Sequence, residues 1–330
     1  MLANSLTVRV AGVDALTTQI KTFRLVAADG AMLPGYTPGA HVQVEIPGAP
    51  DRGKAVQWRS YSLINLDPHA HTEQPVVEYR IAVRREDEGR GGSRFMHEQL
   101  QSGAILNLRA PTNNFPLEVP LPIILLAGGI GITPMISIAA ELIAQRRPFE
   151  LHYSGRALAQ LPFVQELQAL VGEQLCLHAD DEPDTRLSIE TLLAVCNPQQ
   201  PIYVCGPAGM IDATLNIAER LGWPKSALHY ELFAETQPQE GDRAFEVELK
   251  SSGQVLNVAS DKSLLDTLLD AGVDAMYDCR SGYCGLCSTR VCSGDIEHRD
   301  TYLSEGEKAT GRVMQVCVSR ARSARLVLDL

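Results

Sequence analysis

The sequence predicts a multidomain chain: an antiparallel β domain, then a doubly wound α/β domain, then a small α+β unit of β-grasp type. Three observations predict it. Short alternating segments separated by turn clusters run to about residue 110. Apolar runs then alternate with helix-period stretches from about 118 to 232. A hairpin, a short helix and a cysteine-rich loop follow a polar Pro/Gly stretch. At 330 residues the chain is long enough for two or three domains.

In the first region, Leu6–Val10, His41–Ile46 and Val76–Val83 read as strands, with turns at Leu33-Pro34-Gly35 and Pro47-Gly48-Ala49-Pro50. Many short strands with regular turns suggest a barrel or a sandwich. In the second region, Ile123–Ala127 is a continuous apolar run, as a strand covered on both faces requires. A helix over Met135–Gln145, strands at Phe149–Tyr153 and Ile202–Cys205, and a helix over Ala208–Leu221 complete the alternation. Residues 234–243 read as a linker. Beyond it, Phe245–Leu249 and Gln254–Val258 form a hairpin around Ser251-Ser252-Gly253, and Ser263–Ala271 reads as a helix with Leu264, Leu265, Leu268 and Leu269 on one face. The expected organisation is 1–112, 118–233, the linker 234–243, and 244–330.

Composition narrows the function. A hydrophobic share of 45% is ordinary for a globular chain. A net charge of −11 argues against a nucleic-acid surface. Met1–Val10 is polar and alternating, unlike a secretory signal. The longest apolar run, Leu121–Ile132, contains prolines and glycines and is too short to span a bilayer. The expectation is a cytoplasmic protein with reduced thiols and no membrane partner.

Cys279, Cys284, Cys287 and Cys317 read C-x4-C-x2-C followed by a distant C, the plant-type spacing for a [2Fe–2S] cluster. Gly282 and Gly285 allow the tight wrap that three converging thiolates demand. A zinc site prefers paired C-x2-C knuckles or Cys/His mixtures and fits this triplet poorly. A disulfide set does not suit a chain without a secretory signal. Cys292 lies too close to Cys287 to be the distant ligand, whereas Cys317 sits in the apolar run Val313–Val318, where a strand would present it. A cluster of this class moves single electrons, so a donor site is expected elsewhere in the chain.

Two strand-to-helix turns are candidates for holding a dinucleotide. Gly128, Gly129 and Gly131 let the backbone approach a pyrophosphate, with Thr133 as expected N-cap and Pro134 as first helical residue. The competing reading is a tight turn with no ligand. Cys205-Gly206-Pro207 is a second turn of this kind, and two such turns on one parallel sheet meet at the carboxyl ends of its strands. In the β region, Arg59-Ser60-Tyr61-Ser62, placed at a strand start, offers an Arg, a ring and a hydroxyl suited to a flavin. Gly89-Arg90-Gly91-Gly92-Ser93-Arg94 offers a phosphate nest before a short helix. In isolation both also read as a surface Arg and a glycine loop.

In this order the motifs resemble ferredoxin–NADP-reductase-like flavoproteins, and more closely the phthalate dioxygenase reductase family. That family includes the reductases of vanillate demethylases and carnitine monooxygenases. The resemblance covers essentially the whole chain and includes His298-Arg299-Asp300 and the ending Leu326–Leu330. It implies a β-barrel flavin domain that binds FMN, an NAD-binding domain and a ferredoxin-like domain. It further implies Arg59 and Gly91–Ser93 near the FMN phosphate, Ser62 near N5, Tyr61 flanking the isoalloxazine, Phe233 packed near the flavin and Cys205 near the nicotinamide. Electrons would pass from NADH to FMN, then to the cluster, then to a Rieske-type terminal oxygenase, with the chain acting as a monomer. Asp180, Asp181 and Glu182 favour NADH by repelling a 2′-phosphate, but Arg156 would favour NADPH. Docking candidates around the cluster loop are Arg280, Tyr283 and Leu286, and His298 is read as structural or docking. The alternatives are another acceptor (a ferredoxin, a haem protein or a flavin) and a non-enzymatic redox sensor.

Overall fold

Alternation builds the first sheet. In the computed structural model, which describes residues 5–47, 56–89, 91–118, 122–233, 239 and 241–330, strands β1 (Ser5–Ala15), β2 (Ile20–Ala27), β3 (His41–Pro47), β4 (Val56–Ser62), β5 (Tyr79–Arg84) and β6 (Ile105–Thr112) pair antiparallel in the order β4-β3-β6-β1-β2-β5. Arg90, Gly48-Ala49-Pro50 and most of the expected 234–243 linker lie outside the described residues. Inward residues of the sheet, among them Val8, Phe23, Leu25, Val44, Ile81 and Leu108, share one core. One sheet with one core curls on itself, and β4 approaches β5 without a ladder between them. The result is a barrel-like sheet with an open seam. Helix α1 (Gly92–Gln99) follows β5.

Two strand expectations need correction. Val76 pairs with Leu33 through an isolated bridge, whereas β5 begins at Tyr79 and pairs with β2. The apolar run is therefore split between two partners. Arg59–Ser62 lies at the end of β4, not at a strand start.

The second sheet is wholly parallel. It comprises β7 (Ile123–Gly128), β8 (Phe149–Gly155), β9 (Leu175–Ala179), β10 (Ile202–Cys205) and β11 (Leu228–Glu231), ordered β11-β10-β7-β8-β9. Every residue of β7 is buried, because helices cover both faces. These are α2 (Ile132–Ala144), α3 (Val164–Val171), α4 (Ile189–Ala194) and α5 (Ala208–Arg220). The order reverses between β7 and β10, which makes the crevice at their carboxyl ends the place for a ligand. The parallel sheet and the barrel share a core: Ile20, Ile64, Ala82 and Phe115 pack with Ile123, Ile132 and Met135. The Ser137 hydroxyl donates to the Leu63 carbonyl at 2.7 Å and accepts from the Asn65 amide at 2.9 Å. These bonds fix the segment just after β4 against α2.

The chain divides into two compact units, Met1–Leu232 and Phe233–Leu330. The second holds β12 (Phe245–Leu249), β13 (Val255–Val258), α6 (Leu264–Asp270), β14 (Ser288–Ser293), β15 (Ile296–Glu297), α7 (Glu305–Thr310), β16 (Val313–Gln315), β17 (Arg320–Ala321) and β18 (Arg325–Leu328). Its main sheet runs β13-β12-β18-β14-β16, with β15 and β17 paired separately. The hairpin β12–β13, the helix α6 and the parallel β18 beside β12 make the β-grasp arrangement. Ser263 caps α6 by accepting from the Asp266 amide, and Leu264, Leu265 and Leu268 enter the core beside Val247 and Leu326. Among the described residues no helix is long and apolar enough to cross a membrane.

Candidate functional site

The four cysteine thiols converge. Cys279, Cys284 and Cys287 lie on the loop between α6 and β14. Arg280, Gly282 and Gly285 take positive φ of 55°, 77° and 77° and wrap the loop. A side chain at Gly282 would meet Val318 at 2.7 Å, and one at Gly285 would strike the Tyr302 ring. Both positions therefore need glycine for space as well as for φ. Cys317 lies two residues past the end of β16, not on a strand. The Gln315 carbonyl accepts from the Val318 and Ser319 amides at 3.2 and 2.9 Å, and this turn presents the thiol.

Sulfur contacts pair Cys279 with Cys284 and Cys287 with Cys317, and Cys279 also reaches Cys317. Hydrogen bonds from Cys284 and Cys317 hold the Cys279 thiol well below the usual thiol range. The same contacts, aided by burial, push Cys284 and Cys317 up. The Ser281 amide donates to the Cys279 sulfur at 3.4 Å. Four thiols brought together from a C-x4-C-x2-C loop and a distant Cys317 are the donor set that a [2Fe–2S] cluster takes, so the residues present fit one. Residues 298–303 brace the loop. The Thr301 and Tyr302 amides donate to the Gly282 carbonyl at 3.1 and 3.2 Å, and His298 Nδ1 lies 3.4 Å from Asp300 Oδ1.

The nucleotide turns meet at the switch point. A 3-10 turn over Gly129–Gly131 joins β7 to α2. A Cβ on Gly131 would collide with the Cys205 carbonyl, and one on Gly128 would lie 2.7 Å from Pro207 and 2.8 Å from the Met210 sulfur. The two turns thus touch backbone to backbone, which only glycine permits. Gly129 has φ +55° and faces open space. Thr133 is not the N-cap. Because the 3-10 turn runs straight into the helix, α2 starts at Ile132, and the Thr133 hydroxyl donates back to the Ile130 carbonyl at 3.1 Å. Pro134 is consequently the third helical residue, where a missing amide proton is still harmless. Among the described residues no side chain caps α2 or α5; the Ile132 amide is taken by the Gly129 and Ile130 carbonyls of the 3-10 turn, whereas the first amides of α5 stay open to an anion.

Cys205 is fully buried and pairs across the sheet with Ala127 and Glu231. Burial first, then the Glu231 carboxylate, pushes its thiol well up. Glu231, which stands beside Cys205, has no local signal in the sequence. A buried carboxylate ending a strand is visible only once β11 is paired with β10. Phe233 follows two residues later and is 43% exposed.

On β4, Ser60 is exposed, while Tyr61 is half-buried and packs on the barrel core. Burial pushes the Tyr61 phenol up to about 12, with Arg59 opposing. Ser62 is buried at 4% exposure, and its hydroxyl has no hydrogen-bond partner among the described residues. A buried hydroxyl without a partner is costly, and one at the end of β4 fits a ligand with a polar edge, such as a flavin ring. Arg59 crosses the start of α1. A Cβ on Gly92 would meet Arg59 Cγ at 3.2 Å, and Gly91 precedes the helix with φ +89° and no side-chain cap. The Ser93 hydroxyl is engaged within its own loop, accepting from the Glu86 amide at 2.9 Å.

Comparisons with known proteins agree with this geometry. The 2Fe-2S iron-sulfur cluster binding domain model matches residues 247–322, and the oxidoreductase NAD-binding domain model matches 125–216. The vanillate O-demethylase oxidoreductase of Pseudomonas putida is 39% identical over 317 residues, 94% of this chain and 95% of that protein. Phthalate dioxygenase reductase, described as a modular structure for electron transfer from pyridine nucleotides to [2Fe-2S], is 35% identical with a TM-score of 0.74, over 99% of this chain and 98% of that one. The chain belongs to the phthalate dioxygenase reductase family. It is an oxidoreductase with an NAD-binding domain and a [2Fe–2S] domain. The heme-dependent oxidative N-demethylase beta subunit of Ectopseudomonas mendocina is also similar, at 39% identity over 330 residues and 100% of both chains.

Proposed function

We propose that this chain is the NADH-dependent reductase component of a multicomponent Rieske-type oxygenase, carrying electrons through FMN and a [2Fe–2S] cluster to the terminal oxygenase. The observation that carries the reading is the presence, in one chain, of four converging thiols and a parallel-sheet switch point with two helix N-termini that no described side chain caps. When bound, the flavin and the cluster together supply the conversion of a two-electron hydride donor into single electrons. The domains are 1–112 for FMN, 118–233 for NAD, a linker over 234–243, and 244–330 for the cluster.

The protein's own residues bind and orient. Arg59 and the backbone at Gly91, Gly92 and Ser93 hold the FMN phosphate. Tyr61 stays a neutral phenol and flanks the ring system, while the Ser62 hydroxyl meets its polar edge; Ser60 supports this strand end. Gly128, Gly129, Gly131, Thr133 and Pro134 form one wall of the dinucleotide crevice, and Cys205, Gly206 and Pro207 form the other. Cys205, kept neutral by burial and by Glu231, faces the nicotinamide without adding charge. Phe233 shields the flavin. The Asp180 and Asp181 amides bind the Gly155 and Arg156 carbonyls at 2.9 and 3.1 Å. This keeps an acidic loop beside the end of β8 and disfavours a 2′-phosphate. The chain works as a monomer in the cytoplasm.

A haem protein is the second acceptor to consider, because the N-demethylase beta subunit matches end to end. NADH-driven cytochrome c reduction tests the reductase reading. Turnover lost on replacing Cys317 supports it, whereas a cluster-loaded protein that does not turn over with NADH would leave the redox-sensor reading.

A further inference from the structure

Gln315 is a polar side chain with no solvent exposure, placed against a cluster ligand. Its Oε1 lies 3.3 Å from the Cys287 sulfur, which donates to it as a thiol. Its Nε2 donates to the Ser288 hydroxyl at 2.6 Å. The Ser288 hydroxyl in turn donates to the Gly285 carbonyl at 2.7 Å. Gln315 is 0% exposed and Cys287 4%, so their contact is shielded from water, while Ser288 lies at the surface.

The arrangement suits a protonated Cys287. Ligation to iron removes that proton, and a thiolate facing a carbonyl oxygen would be repelled. A half-turn of the amide reverses the polarity: Nε2 then donates to the sulfur, and Oε1 accepts from the Ser288 hydroxyl. The two amide orientations fill the same space. No group is stranded by the change, because the Gly285 carbonyl keeps the Ser288 amide, which donates to it at 3.1 Å. The opposite face of Ser288 is held by β14 pairing with Gln315 itself, Ser288 being its register partner. The chain therefore has a ready donor for the ligated state.

We propose that Gln315 sets the reduction potential of the cluster by donating a side-chain hydrogen bond to the Cys287 thiolate. Reduction adds one electron and negative charge to the cluster and its sulfurs, so a donor to sulfur stabilises the reduced form and raises the potential. The inference rests on the reading of Cys279, Cys284, Cys287 and Cys317 as ligands, and the test separates the two.

The test is an EPR-monitored redox titration of the full-length holoprotein as wild type, Gln315→Met and Gln315→Leu, after iron and sulfide analysis. Neither variant retains a hydrogen-bond donor, and neither adds a charge. Each is expected to make reduction roughly tenfold less favourable, equivalent to a midpoint lower by about 59 mV for one electron. An unchanged midpoint in a fully loaded variant overturns the proposal. A wild-type protein that holds no iron or sulfide overturns the ligand reading, and this inference with it. If the variants do not load, pulsed EPR of the reduced wild-type cluster with 15N-labelled glutamine side chains decides. A resolved 15N coupling is expected, and its absence overturns the proposal.

Discussion

Gly131→Ala probes the nucleotide crevice where two turns touch. The new methyl carbon would collide with the Cys205 carbonyl oxygen and lie 2.5 Å from the Cys205 carbonyl carbon and 2.7 Å from the Gly206 nitrogen. These are backbone atoms, so no side chain can swing aside, and the turns must separate by about an ångström to restore van der Waals contact. Misplacement on that scale costs about 100-fold in rate, or about 2.7 kcal/mol of transition-state stabilisation. The assay is kcat/KM for NADH with ferricyanide as acceptor, which does not need the cluster. Gly172→Ala, between α3 and β9 and outside the crevice, is the control. Gly172 also faces open space, and at φ +57° its cost is backbone strain of about 1–2 kcal/mol, borne by the fold. We expect Gly131→Ala to lose about 100-fold and Gly172→Ala far less. Wild-type kcat/KM in Gly131→Ala, with the visible spectrum intact, would refute the reasoning.

Three further outcomes follow from the same contacts. Ser62→Ala removes a buried hydroxyl with no partner among the described residues, so the flavin-free protein should be no less stable by thermal melt, while flavin reduction by NADH in stopped flow slows by about tenfold or more. Asp242→Ala strips a carboxylate that Arg299 holds through two bonds, one of them 3.1 Å, with side chains only 4% and 11% exposed. Glu297 remains a partner of Arg299, so the loss sits near the low end for a broken buried pair, about 3 kcal/mol, read by urea melting of the second unit at the cluster absorbance. Arg299 holds the Asp242 carboxyl below its ordinary value of 3.8. Its folded pKa is thus depressed, and its contribution is complete above that ordinary value. It is lost as pH falls towards the depressed value, so the wild-type advantage over Asp242→Ala should shrink in strong acid. Cys317→Ser should abolish cytochrome c reduction and spare NADH–ferricyanide turnover, since the flavin and nucleotide residues other than Phe233 lie in the other unit.

Features written in local chemistry are legible in the amino-acid sequence. The cysteine spacing, the glycines at 282 and 285, and the buried run of β7 each carry their reason in a few adjacent residues. Capping at Thr133 has the same local character, yet the expectation fails because the preceding 3-10 turn moves the helix start to Ile132. The strand expected at Val76–Val83 fails for a related reason: Val76 is captured by Leu33 rather than by β2. Glu231 and Gln315 are invisible in the sequence because their neighbours, Cys205 and Cys287, are 26 and 28 positions away and meet them only through strand pairing and the turn after β16. Covalent ligands announce themselves by spacing, whereas the polar groups that tune them depend on tertiary pairing.

Anaerobic titration of the purified protein with NADH, followed by visible spectroscopy and chromatography of the released flavin, tests the central claim most directly. The account predicts flavin bands and an iron–sulfur shoulder that both bleach with NADH, and FMN as the released flavin. A cluster that NADH cannot reduce in a flavin-loaded protein, or a loaded protein without flavin, would contradict it.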